Sequence, residues 1–267
     1  MAVEVSARLK FAIEIARAAG DLTLEYFQRS SVQIERKGDD SPVTQADRQS
    51  ELLMRERIAK AFPNDAIIGE EHGEAEGTSG YKWILDPIDG TKSFIAGVPL
   101  YSVLVGVVRK TESLIGVIRI PGLDECVYAE KGQGAWWTKG EAAAIPARVS
   151  NRNSLADGVF VTSQVDTFDS RSAIEAYQRL ERAAYVTRTW GDGYGYLLVA
   201  TGRAEAMVDP MMNIWDAAAI QPVLEEAGGT FTDWKGKPCI DGSEGIGTNG
   251  LVLNEVLEIT QDYPRPS

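Results

Sequence analysis

The chain carries two carboxylates three residues apart, Asp86 and Asp89, between the apolar run Trp83-Ile84-Leu85 and the pair Gly90-Thr91. Carboxylate oxygens are hard ligands, and Mg²⁺ is held by a few of them together with water and substrate phosphate rather than by a full protein cage. Tyr81 to Leu85 read as a strand, Pro87 and Gly90 enforce a turn, and Thr91 opens a helix whose N–H groups favour an anion. One short segment thus has a geometry suited to a divalent cation and a phosphate together.

Two further acids fall at element ends, where α/β folds gather ligand groups. Glu70 follows the strand Ala66–Ile68, and Asp216 sits at the start of a helix opening at Trp215. Each also has a structural reading, Glu70-Glu71 as a solvated loop pair and Asp216 as an N-terminal acid favoured by the helix dipole. Taken with Asp86 and Asp89 they fit a single phosphoryl-transfer site, in which two cations about 3.5–4 Å apart clamp the attacking and leaving oxygens. The sole histidine, His72, lies in a polar, Gly-flanked stretch and is read as a loop residue. A single histidine argues against a Ser-His-Asp hydrolase, a phosphohistidine enzyme and a His-rich metal hydrolase, each of which would have to rest on His72 alone. Carboxylates must carry the chemistry.

With 267 residues and 44% apolar side chains the chain is globular, with length for one or two domains. Its 27 basic and 39 acidic residues leave a net charge of −12, which argues against nucleic acid or an anionic membrane as partner. A small anionic substrate remains allowed where bound cations invert the local field. No apolar stretch is long enough to span a bilayer, and no signal peptide is seen, so a cytoplasmic protein is expected. Cys126 and Cys239 are far apart without metal-ligand spacing and are read as unpaired thiols.

Leu9, Ile13, Ala16, Leu24 and Phe27 predict an amphipathic helix from about Val5 to Gln28. The segment from Ser30 to Pro42 reads as a short strand and a mobile loop. Thr44 and Asp47 form a capping-box pattern opening a second helix, with Met54, Ile58, Ala61 and Phe62 on one face. A Gly- and Glu-rich loop is expected from Gly69 to Gly80. Ser102–Val108, Leu114–Ile120, Glu125–Ala129 and Gly134–Thr138 predict an antiparallel meander, and Glu141–Ala147 a surface connector. Beyond Asn151, strand-like and helix-like segments alternate, including helices Arg171–Ala184, Gly193–Thr201 and Trp215–Ala227, the last stopped by Gly228-Gly229. The pattern gives an α+β or α/β protein, with an N-terminal domain over 1–145 and a C-terminal α/β domain over 146–267.

Gly69-Glu70-Glu71, the segment Trp83 to Thr91, Trp215-Asp216-x-Ala218 and Glu226-Ala227-Gly228-Gly229 resemble, in order and over nearly the whole chain, the signatures of the inositol monophosphatase family. The resemblance implies a layered αβαβα sandwich, a homodimer, and hydrolysis of a phosphate monoester dependent on Mg²⁺, with Mn²⁺ an open alternative. By position it implies one cation on Glu70, Asp86 and the backbone carbonyl of Ile88, a second sharing Asp86 and adding Asp89 and Asp216, and a weaker third using Glu70. Thr91, hydrogen-bonded to Asp47, would orient the attacking water, with Glu70 completing the catalytic set, while the Gly90 and Thr91 N–H groups hold phosphate oxygens. Asp47 can cap its helix at the same time. Monoester hydrolysis needs accelerations as large as ~10²¹, of which a proton-transfer pair supplies only about 10²–10⁴, so electrostatic stabilisation must dominate. The D-x-x-D-G-T spacing differs from the D-x-D-G-T of haloacid-dehalogenase-like phosphatases, which favours direct attack by water without a phospho-enzyme.

Substrate choice is expected in the second domain, at Asp192 and Asp209. Inositol-cleaving relatives usually carry a small residue and a glutamate at these positions, and this chain departs at both. Extra carboxylates suit a substrate bearing a cation, which a neutral analogue cannot replace. The pattern is similar to the histidinol-phosphate phosphatase branch of the family, which implies L-histidinol phosphate and histidine biosynthesis. Structural readings stand beside it: Asp192 as N-cap of Gly193–Thr201, and Asp209 as a strand-end turn residue. Trp190 and Tyr194 are candidates to flank an imidazole, or else core. The alternatives are a phosphatase for inositol or other polyol phosphates, a bisphosphate-nucleotide phosphatase, and a silent binding homologue. The last predicts a broken ligand set, and none of these acids is missing.

Overall fold

Ser6 opens the first helix, Ala7–Tyr26, its hydroxyl accepting the Leu9 N–H at 3.1 Å. The computed structural model describes residues 5–29, 34–36 and 42–263. The buried stripe of this helix is Leu9, Ala12, Ile15, Ala16, Ala19, Gly20 and Thr23, which keeps Leu9 and Ala16 of the expected set and not Ile13, Leu24 or Phe27. Leu24 is 37% exposed, because the seam is made by small residues that let the helix lie close on the sheet. Thr44 caps the second helix, Gln45–Ala61, and the capping box with Asp47 is present. Met54 and Ile58 are buried as expected, whereas Ala61 is exposed. A strand Ile34–Arg36 pairs antiparallel with Pro42–Thr44. The rest of the expected loop before Pro42 lies outside the described residues.

Both helices pack on one face of an eight-stranded sheet, ordered Ile145–Pro146, Ala135–Lys139, Glu125–Glu130, Glu112–Ile120, Ser102–Arg109, Tyr81–Asp89, Ala66–Gly69, Gly73–Ala75. The meander is antiparallel throughout, and Ala66–Gly69 joins Tyr81–Asp89 in parallel. Period-two alternation divides the core. Val103, Val105 and Val107 face the first two helices, while Leu104 faces the helices Asp192–Ala200 and Ile220–Glu226 on the other side. Those helices lie against a second sheet, ordered Val186–Arg188, Val159–Val161, Ala206–Asp209, Gly245–Thr248, Thr230–Thr232, which is parallel over its first three strands and antiparallel beyond. Ile174–Ala183 and Leu253–Thr260 cover its outer face. The result is the expected αβαβα sandwich.

Several local expectations are corrected. The loop after Gly69 contains an edge strand, Gly73–Ala75, and the connector Glu141–Ala147 ends in a strand, Ile145–Pro146; both are shorter than a readable period. The helix Leu253–Thr260 was not anticipated. The expected helix Trp215–Ala227 is broken into Ile214–Ala217 and Ile220–Glu226. Pro222 has no N–H to give the Ala218 carbonyl four residues earlier, and the Ser113 hydroxyl donates to that carbonyl instead, at 2.6 Å. A Cβ at Gly116 would lie 1.9 Å from the Ala219 carbonyl oxygen, so the broken segment rests directly on the sheet. This contact carries Asp216 up to the strand bearing Asp86.

Candidate active site

The strand Tyr81–Asp89 is longer than expected and irregular at its end. Asp86 pairs with Leu104 but Asp89 with Ser102, so three steps on one strand match two on the other. The extra residue, in a stretch where Pro87 offers no N–H, re-aims the chain so that Asp86 and Asp89 line one cavity. The Ile88 N–H closes a local turn onto Asp86 Oδ1 at 3.0 Å. Gly90, at φ +86°, then caps the short helix Thr91–Ile95. In Asp216 the carboxylate accepts the Asn213 N–H at 2.7 Å, a capping box that fixes its rotamer.

One oxygen each from Asp86, Asp89 and Asp216 lie within 4.8 Å of one another. The cavity around them, about 320 Å³, is also lined by Glu70, Ile88, Gly90, Thr91, Asp192 and Asp209. Glu70 stands on the wall outside that trio, and its charge acts on Asp86 and Asp216. Lys92 is the one basic side chain among the described lining residues, and it donates to Gln164. Burial, then the charges of Glu70, Asp89 and Asp216, push the Asp86 carboxyl well up. Burial, then Asp192 and Asp216, do the same to Asp89. Crowded carboxylates of this kind lack a counter-charge, and a divalent cation with oxygen preference is the group that supplies it. The donor set therefore fits a metal ion.

Burial also pushes Asp209 and Asp216 up to about 7. A folded pKa above the unfolded value of about 3.9 gives a contribution fully present below that value and lost as pH rises through about 7. In chelator, this contribution lowers Tm as pH rises from about 5 to about 8, and added Mg²⁺ is expected to restore more at the higher pH. Differential scanning calorimetry at both pH values checks this; equal stabilisation by Mg²⁺ at both contradicts it.

Thr91 Oγ1 lies 3.1 Å from the Ile88 carbonyl oxygen and 3.3 Å from Asp47 Oδ1. The other Asp47 oxygen accepts the Thr44 N–H at 2.8 Å and hydroxyl at 2.6 Å, so the capping carboxylate and the neighbour of Thr91 are one group. Asp47 is fully buried, and burial raises its pKa despite the Thr44 hydrogen bonds.

Asp192 is not the N-cap. Gly191 is, and Asp192 follows at φ +54°, with its carboxylate 2.6 Å from where a Gly90 Cβ would lie. Its N–H donates to Ser163 Oγ at 2.8 Å, and the next N–H, of Gly193, donates to Asp89 Oδ2. Asp209 lies deeper, accepting from the Tyr196 hydroxyl at 3.1 Å and the Ser163 N–H at 3.3 Å. Trp190 and Tyr194 do not line the cavity. Tyr194 packs on the core, and the Arg188 guanidinium lies 5.8 Å from the Trp190 ring centroid. Ser163 and Tyr196 were missed in the sequence, where a serine at a strand end and a tyrosine within an apolar helix give no signal.

A profile of the inositol monophosphatase family matches residues 4–263. A Chlorobaculum parvum protein named histidinol-phosphatase is 44% identical over 89% of this chain and 90% of its own length. A Thermotoga maritima protein named fructose-1,6-bisphosphatase/inositol-1-monophosphatase is 33% identical over 96% of each. Among solved structures, the extragenic suppressor protein SuhB of Bartonella henselae superposes with a TM-score of 0.89 at 27% identity, over 96% of this chain and 99% of that one. The Thermotoga maritima IMPase gives 0.84 at 31% identity, over 96% and 98%. The chain belongs to the inositol monophosphatase family and is a metal-dependent phosphoric monoester hydrolase.

Proposed function

We propose that this phosphatase hydrolyses L-histidinol phosphate, as a step of histidine biosynthesis in the cytoplasm, and acts as a Mg²⁺-dependent homodimer without nucleic-acid or membrane partners. The observation that carries the substrate choice is the pair of carboxylates, Asp192 and Asp209, in the cavity beyond the Asp86, Asp89 and Asp216 cluster. The name of the Chlorobaculum parvum relative agrees with it. In this reading residues 1–145 supply most of the cation and phosphate groups, and residues 146–267 supply Asp216 and the specificity residues.

Glu70, Asp86, the Ile88 carbonyl, Asp89 and Asp216 would hold two or three Mg²⁺ ions, whose charge stabilises the phosphate oxygens and the leaving oxygen as the bond breaks; Mn²⁺ suits the same oxygens. The N–H groups of Gly90 and Thr91 bind a phosphate oxygen. Thr91 Oγ1 accepts a hydrogen bond from the attacking water and takes its proton as its own hydrogen passes to Asp47 Oδ1. Burial raises the Asp47 pKa and so strengthens it as the terminal base. Asp192 receives the substrate's ammonium, with Asp209 behind it.

Phosphate release from histidinol phosphate, inositol 1-phosphate and adenosine 3′,5′-bisphosphate at fixed Mg²⁺ tests the reading. Histidinol phosphate is expected to have the highest kcat/KM; preference for inositol phosphate overturns the substrate assignment. Asp192→Asn removes a half-buried charge partner and is expected to lower kcat/KM for histidinol phosphate by about 10–100-fold, with a smaller loss for inositol phosphate. Equal losses on both count against the ammonium contact.

A further inference from the structure

Glu51 is a buried carboxylate on the helix Gln45–Ala61, one turn beyond Asp47 and on the same face. It does not line the cavity. Its oxygens accept the Glu71 N–H at 2.7 Å and the His72 N–H at 3.1 Å, the two amides that follow Glu70. Arg55, a further turn along, donates from Nε to Glu51 at 2.6 Å and from Nη2 to the Gly73 carbonyl. One ion pair thus grips both the donors and an acceptor of the turn that leaves Glu70. On the other side the Glu70 N–H is tied to the Leu85 carbonyl at 3.3 Å. A Cβ at Gly69 would lie 2.4 Å from the Glu51 carboxylate, so the strand approaches it as closely as a backbone can. Two turn amides are satisfied together by a carboxylate because both of its oxygens only accept.

We propose that Glu51, backed by Arg55, is the positioning residue that sets the Glu70 carboxylate toward the cation site. The helix Gln45–Ala61 then aims two parts of the reaction centre from one face, Asp47 at Thr91 and Glu51 at the Glu70 turn. The inference rests on the cation reading above. It also accounts for the lone histidine, whose Nδ1 lies 3.3 Å from Glu51 at the outer end of the same ion pair.

Glu51→Gln places an amide nitrogen against one of the two N–H donors, so the turn cannot keep both bonds. Mn²⁺ titration of the intact protein, followed by the paramagnetic resonance of free Mn²⁺, is expected to show at least one site weakened by about 10–100-fold. The Mg²⁺ concentration for half-activation rises in step, and kcat recovers at saturating Mg²⁺. A folded Glu51→Gln protein with the wild-type Mn²⁺ isotherm overturns the proposal, whatever its Tm. Should that variant not fold, Arg55→Lys carries the test, since it keeps a cation beside Glu51 but loses the reach to Gly73. A several-fold weaker site supports the proposal, and an unchanged isotherm overturns it. Wild-type protein without saturable Mn²⁺ binding defeats the cation reading itself, which separates the two failures.

Discussion

Asp89→Asn is expected to lower Mg²⁺-dependent kcat by about 10³-fold or more, with the fold retained. The retention follows from the contacts of Asp89. Its Oδ2 accepts both the Ser102 hydroxyl at 2.7 Å and the Gly193 N–H, and an asparagine can keep its carbonyl oxygen there. The amide nitrogen then replaces the remaining carboxylate oxygen, so beside Asp86 and Asp216 the side chain loses the negative charge that the cation reading requires. Removing one carboxylate from a crowded cluster also relieves repulsion, so Tm in chelator is expected to stay level or rise. Steady-state phosphate release beside calorimetry checks both halves; wild-type turnover in a folded Asp89→Asn protein removes the cation from the mechanism.

Thr91→Ala is expected to lower kcat by roughly 10²–10⁴-fold while leaving the Mg²⁺ dependence of activity similar. The hydroxyl is within reach of Asp47 and of the Ile88 carbonyl, so its loss cuts the proton path but removes no carboxylate. Thr91→Ser keeps the hydroxyl and is expected to recover most of the rate. If the alanine variant turns over like wild type, Thr91 does not orient the water.

Most strands were legible because Ser102–Arg109 and Glu112–Ile120 are near-continuous apolar runs, buried on both faces and bounded by turn residues, and because Thr44 with Asp47 and Gly228 with Gly229 mark helix ends by local chemistry; the layer order followed from the family resemblance alone. The edge strands Gly73–Ala75 and Ile145–Pro146 carry no period and were not legible. Nor was the break at Ala218–Ala219, since the proline that causes it sits four residues later and its substitute donor, Ser113, comes from another strand. At the cavity, the acids at element ends could be picked out by position. Glu51 was not, because an acid on a helix looks solvated until the strand and turn that enclose it are in place. Its signal was the spacing Asp47, Glu51, Arg55 on the face that also buries Met54 and Ile58. Trp190, two residues before Asp192, was a candidate on sequence proximity alone; it neither lines the cavity nor joins the core.

The central claim is that Asp86, Asp89 and Asp216, with Glu70 on the same wall, share bound divalent cations. Anomalous diffraction at the manganese edge from crystals grown with Mn²⁺ tests it most directly. A peak within coordination distance of the Asp86, Asp89 and Asp216 carboxylates is expected. A saturated crystal with no peak in that cavity, or with manganese held only by other side chains, contradicts it.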